Sequence, residues 1–178
     1  MSLSLLSLLK AGNHVMVKGQ PGDYLTELPE ILAFFVPKAE EGSPRALILC
    51  NSDDQVRIVD DCLKELAKNL DLTVDVVTEK GNKLKQRNDL FDGTEVIIGT
   101  VKRTTELYFQ NGFNTGKIKF FAVLDADQLM RLGMKGNLTR LAESLPKCRV
   151  LISALNTDEE RLLDFQTQFF TPISEVKL

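Results

Sequence analysis

The sequence predicts an α/β fold, a three-layer, doubly wound and mostly parallel β-sheet flanked by helices on both faces. Three observations predict it. Short runs are almost continuously apolar, such as ALILC at 46–50, EVIIG at 95–99 and FFAVL at 120–124; strands buried on both faces read this way. Between them lie stretches with apolar residues three or four apart, the spacing of a helix with one buried side. The chain has 178 residues, 43% hydrophobic and 26% charged, which suits one globular domain large enough to bury a core.

Taken in order, strands are expected at His14–Lys18, Arg45–Cys50, Thr73–Thr78, Glu95–Gly99, Lys119–Leu124, Arg149–Ser153 and Ile173–Val176. Asp53 or Asp54 can cap a helix that turns Val56, Ile58, Val59, Leu63, Leu66 and Leu70 to one side. Thr157, with Glu160 three residues on, can cap a helix to Phe169 that buries Leu162, Leu163 and Phe165. Glu40–Pro44 reads as a surface loop, and no linker, repeat or low-complexity stretch divides residues 1–178, so one domain is expected. Phe109, Phe113, Phe120 and Phe121 are expected in the core.

The formal charge of −3 excludes an overall basic nucleic-acid binder and leaves room for a local patch. Cys50, Cys62 and Cys148 are odd in number and lack a CxxC spacing, against both a disulfide framework and a zinc site, so no metal is expected. The single histidine, His14, opens a strand and is expected to be structural. The N-terminal run MSLSLLSLLK has no basic segment ahead of its apolar part, and no stretch is long enough to span a bilayer. A reducing cytoplasmic or nuclear location without a membrane partner is expected.

In an open parallel sheet, ligands sit beyond the carboxyl ends of the strands. Five segments fall there: Gly19-Gln20-Pro21-Gly22-Asp23-Tyr24, Asn51–Gln55, Thr100-Val101-Lys102-Arg103, Asp125-Ala126-Asp127 and Ser153-Ala154-Leu155. In that order they resemble the first RecA-like domain of the DEAD-box RNA helicases. GNHVMVKGQPGDY resembles the family's run into its phosphate-binding loop, Thr100 and Arg103 match the ends of its TPGR motif, LDADQLMRLGM resembles the DEAD box, SAL resembles SAT, and Thr171-Pro172-Ile173 resembles the close of the domain. The resemblance spans nearly the whole chain and implies a RecA-like fold, with ATP, Mg²⁺, RNA and a second RecA-like domain as the family's associates.

The departures shape the functional expectation. A phosphate loop needs a lysine and a hydroxyl after its second glycine, because backbone N–H groups cradle the phosphates while those side chains reach the outer phosphate and Mg²⁺. Gly19 and Gly22 are the candidate nucleotide-binding glycines, yet Asp23 and Tyr24 follow Gly22. A carboxylate about 4 Å from a phosphate changes the interaction by roughly 4 kcal/mol at an effective dielectric of 20. Gly19 and Gly22 also read as a plain strand-to-helix turn. In the DEAD box, Leu124 stands for the first acid and Asp125 for the second, or Asp125 is first and the glutamate is deleted; Asp127 is last in both registers, and one of two carboxylates is lost. Asp125 and Asp127 read equally as strand-end and cap residues. Leu155 removes the hydroxyl of SAT, leaving Ser153 and Ala154 of that coupling motif, and NSDDQ replaces PTREL, putting Asp53 where the family has an RNA-contacting arginine. ATP and Mg²⁺ are therefore disfavoured as cofactors, and the domain is not expected to turn over ATP alone; an active form would be an ATP-dependent RNA helicase.

What the resemblance leaves is a set of nucleic-acid candidates: Lys80, Lys83, Lys85 and Arg87, with Thr100, Lys102 and Arg103, in segments the family lays against RNA phosphates and sugars. Six cations on one rim would bind RNA weakly, without sequence preference and with salt sensitivity, offset by Asp53 and Asp54; a solvated helix face is the alternative. Three functions follow: a silent helicase-like module binding RNA or a protein partner, a divergent piece of a working helicase, and an α/β interaction module without nucleic acid.

Overall fold

The computed structural model of the chain describes residues 4–40 and 42–178. Met1–Leu3 of the N-terminal run and Glu41 of the expected loop lie outside the described residues. Seven strands form one sheet: β1 His14–Lys18, β2 Ala46–Cys50, β3 Val74–Val77, β4 Val96–Thr100, β5 Phe120–Val123, β6 Arg149–Ala154 and β7 Ile173–Lys177. Their order across the sheet is β3-β4-β2-β5-β6-β1-β7. Every neighbouring pair is parallel, where the sequence predicted a mostly parallel sheet. All seven expected strands are present, within a residue or two at their ends.

The central strands are apolar throughout because helices cover both faces. Ala46, Ile48 and Cys50 of β2 point to a core shared with α1 (Leu5–Lys10), α3 (Leu28–Phe35) and α4 (Asp53–Asn69). Leu47 and Leu49 point to a second core beneath α5 (Lys83–Phe91), α6 (Val101–Phe109), α7 (Ala126–Arg131), α8 (Lys135–Glu143) and α9 (Glu160–Phe169). The remaining helix, α2, is a single turn at Pro21–Tyr24, followed by a 3₁₀ turn at Leu25–Glu27. Period-two alternation thus splits one continuous apolar strand between two cores.

Five expectations need correction. The cap of α4 is Ser52, whose hydroxyl accepts from the Gln55 amide at 3.2 Å, which frees Asp53 for other work. Ile58 lies off the buried stripe of Val56, Val59 and Leu63 and is 55% exposed. The cap of α9 is Glu159, whose carboxylate accepts from the Leu162 amide at 2.9 Å; Thr157 is buried and hydrogen-bonds Glu175 of β7 instead, and Leu163 faces outward. Phe109, at the end of α6, is 57% exposed, with the Arg140 guanidinium 5.8 Å from its ring centre. Phe120 and Phe121 are core residues, and Phe113 packs partly buried against the second core.

One glycine pair is required by a close approach. Gly93, at φ +106°, ends the turn after α5, and a β-carbon there would come within 2.9 Å of the Gly42 α-carbon. That contact seats the loop entering β2 against the start of β4. No helix among the described residues is long and apolar enough to cross a membrane.

Candidate functional site

The parallel sheet brings five loops together beyond the carboxyl ends of its strands. The loop after β1 turns sharply into α2, with Pro21 at the first helical position, where its missing N–H costs nothing. The Asp23 carboxylate reaches back and accepts from the Gln20 amide at 2.9 Å. A β-carbon on Gly19 would lie 3.3 Å from the same carboxylate. The Gln20 amide is thereby committed to a side chain of the loop itself.

Counting the phosphate-loop pattern from Gly19 places Tyr24 at the second glycine, Leu25 at the lysine and Thr26 at the hydroxyl residue. The sequence reading sought a lysine next to Gly22 and so noted Tyr24 without placing it or Leu25 in the pattern; the position five residues on from Gly19 was the signal. Tyr24 is wholly buried, and its hydroxyl lies near Ser153 and Asp125 without reaching any partner at hydrogen-bonding geometry. Burial is the main cause that pushes the phenol far above its ordinary range. Leu25 packs against the core, and its carbonyl accepts from the Cys62 thiol at 3.1 Å.

Asp125 follows β5 in the left-handed conformation (φ 52°, ψ 49°), which Asp tolerates better than most residues. Its amide donates to the Ser153 hydroxyl at 2.9 Å. Its carboxylate accepts from the Gln55 amide group at 2.7 Å and from that of Asn51 at 3.4 Å, and Asn51 also donates to Gln128 at 2.6 Å. Asp127 is 2% exposed, accepts from the Asn156 amide at 3.0 Å and lies 3.7 Å from Arg131. Ser153 is thus tied to Asp125, and Asn156, three residues on, to Asp127. Leu124 is fully buried in the core, so neither sequence register supplies a second carboxylate beside Asp125.

Burial raises the Asp125 carboxyl above its ordinary pKa, opposed by the Gln55 hydrogen bond and reinforced by the charge of Asp127. A carboxyl raised in the folded state contributes its stability below its unfolded pKa and loses it as pH rises through the folded value. Asp125→Asn is therefore expected to raise the urea midpoint at pH 7, with the gain shrinking towards pH 4. A gain that grows on acidification contradicts this sign.

The loops after β2, β3 and β4 are clamped to one another. Asp53 accepts from the amides of Glu79 at 2.7 Å and Lys80 at 3.0 Å. From the other side, Arg103, its side chain 14% exposed, donates to the Glu79 carbonyl at 2.7 Å and to the Gly81 carbonyl and the Gln86 side chain at 3.0 Å each. Thr100 is buried and caps α6 by accepting from the Arg103 amide at 3.4 Å. Gly81 is needed here, since a β-carbon would strike the Gln86 amide group and the Thr78 hydroxyl.

Of the six candidate cations, Lys83 pairs with Glu106 at 3.2 Å and Lys85 with Asp89 at 2.7 Å, while Arg87 donates to the Gln110 carbonyl at 3.1 Å. Two residues apart on α5, Lys83 and Lys85 point to different sides of the helix. Lys80 and Lys102 form no ion pair among the described residues. The structure therefore gathers Lys80, Lys102 and Arg103 at one end of the sheet and spreads the others along α5.

No protein-family model matches the chain. It is 24% identical over 159 residues to the ATP-dependent RNA helicase eIF4A of Debaryomyces hansenii, covering 89% of this chain and 40% of that protein. It is 28% identical over 159 residues to the ATP-dependent RNA helicase RhlB of Pseudoalteromonas atlantica, covering 86% of this chain and 37% of that one. The chain thus spans about two fifths of the length of these curated relatives. Among solved structures, a DEAD box protein from Methanococcus jannaschii superposes with a TM-score of 0.84 at 16% identity, covering 95% of this chain and 46% of that one. The chain has the α/β RecA-like fold of DEAD-box proteins and is similar in sequence to the ATP-dependent RNA helicases of that family.

Proposed function

We propose that this helicase-like domain does not turn over ATP and serves as a binding module. The observation that carries the reading is Tyr24, packed wholly buried beneath the loop and close to Asp125, with Leu25 at the lysine position. A magnesium–nucleotide needs a lysine at the phosphates, free loop amides and paired carboxylates. These residues do not fit it: the Gln20 amide is held by Asp23, and Asp125 has no second carboxylate beside it from the DEAD-box positions and is already bound by Gln55.

The face over the strand ends is the docking surface in this reading. It carries a cleft of about 250 Å³ lined in part by Asn51, Glu79, Lys102 and Leu132. Leu132 is 61% exposed and Leu155, after β6, is 45% exposed. Exposed leucines beside clamped loops suit a protein surface, such as a second RecA-like domain, better than a phosphate track. RNA is the second reading, carried by Lys80 and Lys102: two phosphate contacts give weak binding whose logarithm falls with log salt at a slope of about −1.4.

Phosphate release from ATP, measured with and without single-stranded RNA, tests the proposal. The expected rate equals that of a protein-free blank in both cases. RNA-stimulated release would place the domain among working helicases.

A further inference from the structure

The opposite end of the sheet, where β5, β6 and β1 begin, gathers cations that no part of the site above uses. Lys119 immediately precedes β5, and its carbonyl accepts from the Arg149 amide at the start of β6. Lys147 lies two residues before Arg149 in sequence, and Lys10 closes α1. All four line one cleft of about 340 Å³, whose floor includes the buried Leu9 and Phe35. A second cleft of about 200 Å³, on the side of the second core with Ala142 and Phe170, also borders Lys147, Cys148 and Arg149. No carboxylate lines either cleft, and none of the four cations has an ion pair among the described residues.

In a chain of net charge −3, four unpaired cations around an apolar floor call for an anionic partner. Phosphate pairing alone would hold nucleic acid here weakly, and tighter single-strand binding uses an open aromatic face on which a base can stack. The exposed ring here is Phe34, but the Lys10 ammonium lies 4.9 Å from its centre and Phe35 meets it edge-on at 5.0 Å. An extended acidic peptide fits better, since its carboxylates can pair with the cations while apolar side chains cover Leu9 and Phe35. We propose that the cleft of the four cations binds an extended acidic segment of a partner protein, with apolar residues between its carboxylates.

The test is fluorescence anisotropy with the full chain and a labelled peptide of four Glu-Glu-Leu repeats. A Lys-Lys-Leu peptide and a uridine 12-mer serve as comparison probes. The acidic peptide is expected to bind with an affinity that falls as salt rises. Lys119→Glu combined with Lys147→Glu should weaken it about tenfold or more, while Lys68→Glu, in the last turn of α4 and lining neither cleft, leaves it unchanged. Both reversed lysines are exposed, and an unaltered circular dichroism melt shows that the fold is kept. Three results would overturn the proposal: no acidic-peptide binding at millimolar concentration, binding insensitive to the double reversal, or loss in that variant of uridine binding alone.

Discussion

Tyr24→Ala is expected to destabilise the domain by about 3–5 kcal/mol, and Tyr24→Phe to be neutral or slightly stabilising. The ring is wholly buried between the β1 loop and the ends of the central strands, so removing it leaves a cavity in the first core. The hydroxyl is buried without a partner, so deleting it removes an unsatisfied polar group and no bond. Urea unfolding followed by circular dichroism checks both variants. A loss above about 1.5 kcal/mol for Tyr24→Phe, the size of a hydrogen bond's net contribution, would mean that the hydroxyl is bonded to Asp125 or Ser153. The pair matters for function because the same ring fills the space beneath the loop. A side chain that holds the core together cannot swing away at small cost to admit a phosphate.

The second large effect concerns the loop clamp. Arg103→Ala removes three hydrogen bonds from a mostly buried guanidinium and leaves the Glu79 and Gly81 carbonyls without that donor. It is expected to cost about 2–3 kcal/mol, against less than about 0.5 kcal/mol for Lys102→Ala beside it, whose side chain makes no ion pair among the described residues. Asp53→Ala should cost about 1–2 kcal/mol and speed hydrogen exchange at the Glu79 and Lys80 amides, which lose their acceptor. Equal stability of Arg103→Ala and Lys102→Ala would mean that Arg103 is a surface cation available to a ligand.

The strands were legible because burial on both faces leaves a local mark: a run such as ALILC has no polar position to confuse its reading. The order of the strands was not legible, since it is set by long-range pairing such as Ile48 against Ala122. Helix caps failed where two acceptors stood side by side. Ser52 and Asp53 could each cap α4, and only the neighbouring β3–α5 loop, whose amides need an acceptor, assigns Asp53 elsewhere. Around the candidate site, the chain positions of Gly19, Asp125 and Ser153 were visible in order and spacing. The fate of each charge was not: Arg103 and Lys102 are adjacent in sequence, and one is a clamp while the other faces solvent. The role of Tyr24 was not legible, because a buried tyrosine after a glycine turn resembles any core aromatic until its neighbours are known.

Calorimetric titration of ATP with Mg²⁺ into the 178-residue chain tests the central claim most directly. The account predicts no saturable heat up to about 1 mM nucleotide, corresponding to binding no tighter than about −4.1 kcal/mol, because Tyr24, Leu25 and Asp23 occupy the positions a phosphate loop needs. Micromolar binding that depends on Mg²⁺ would contradict it and make the domain a nucleotide-binding helicase domain.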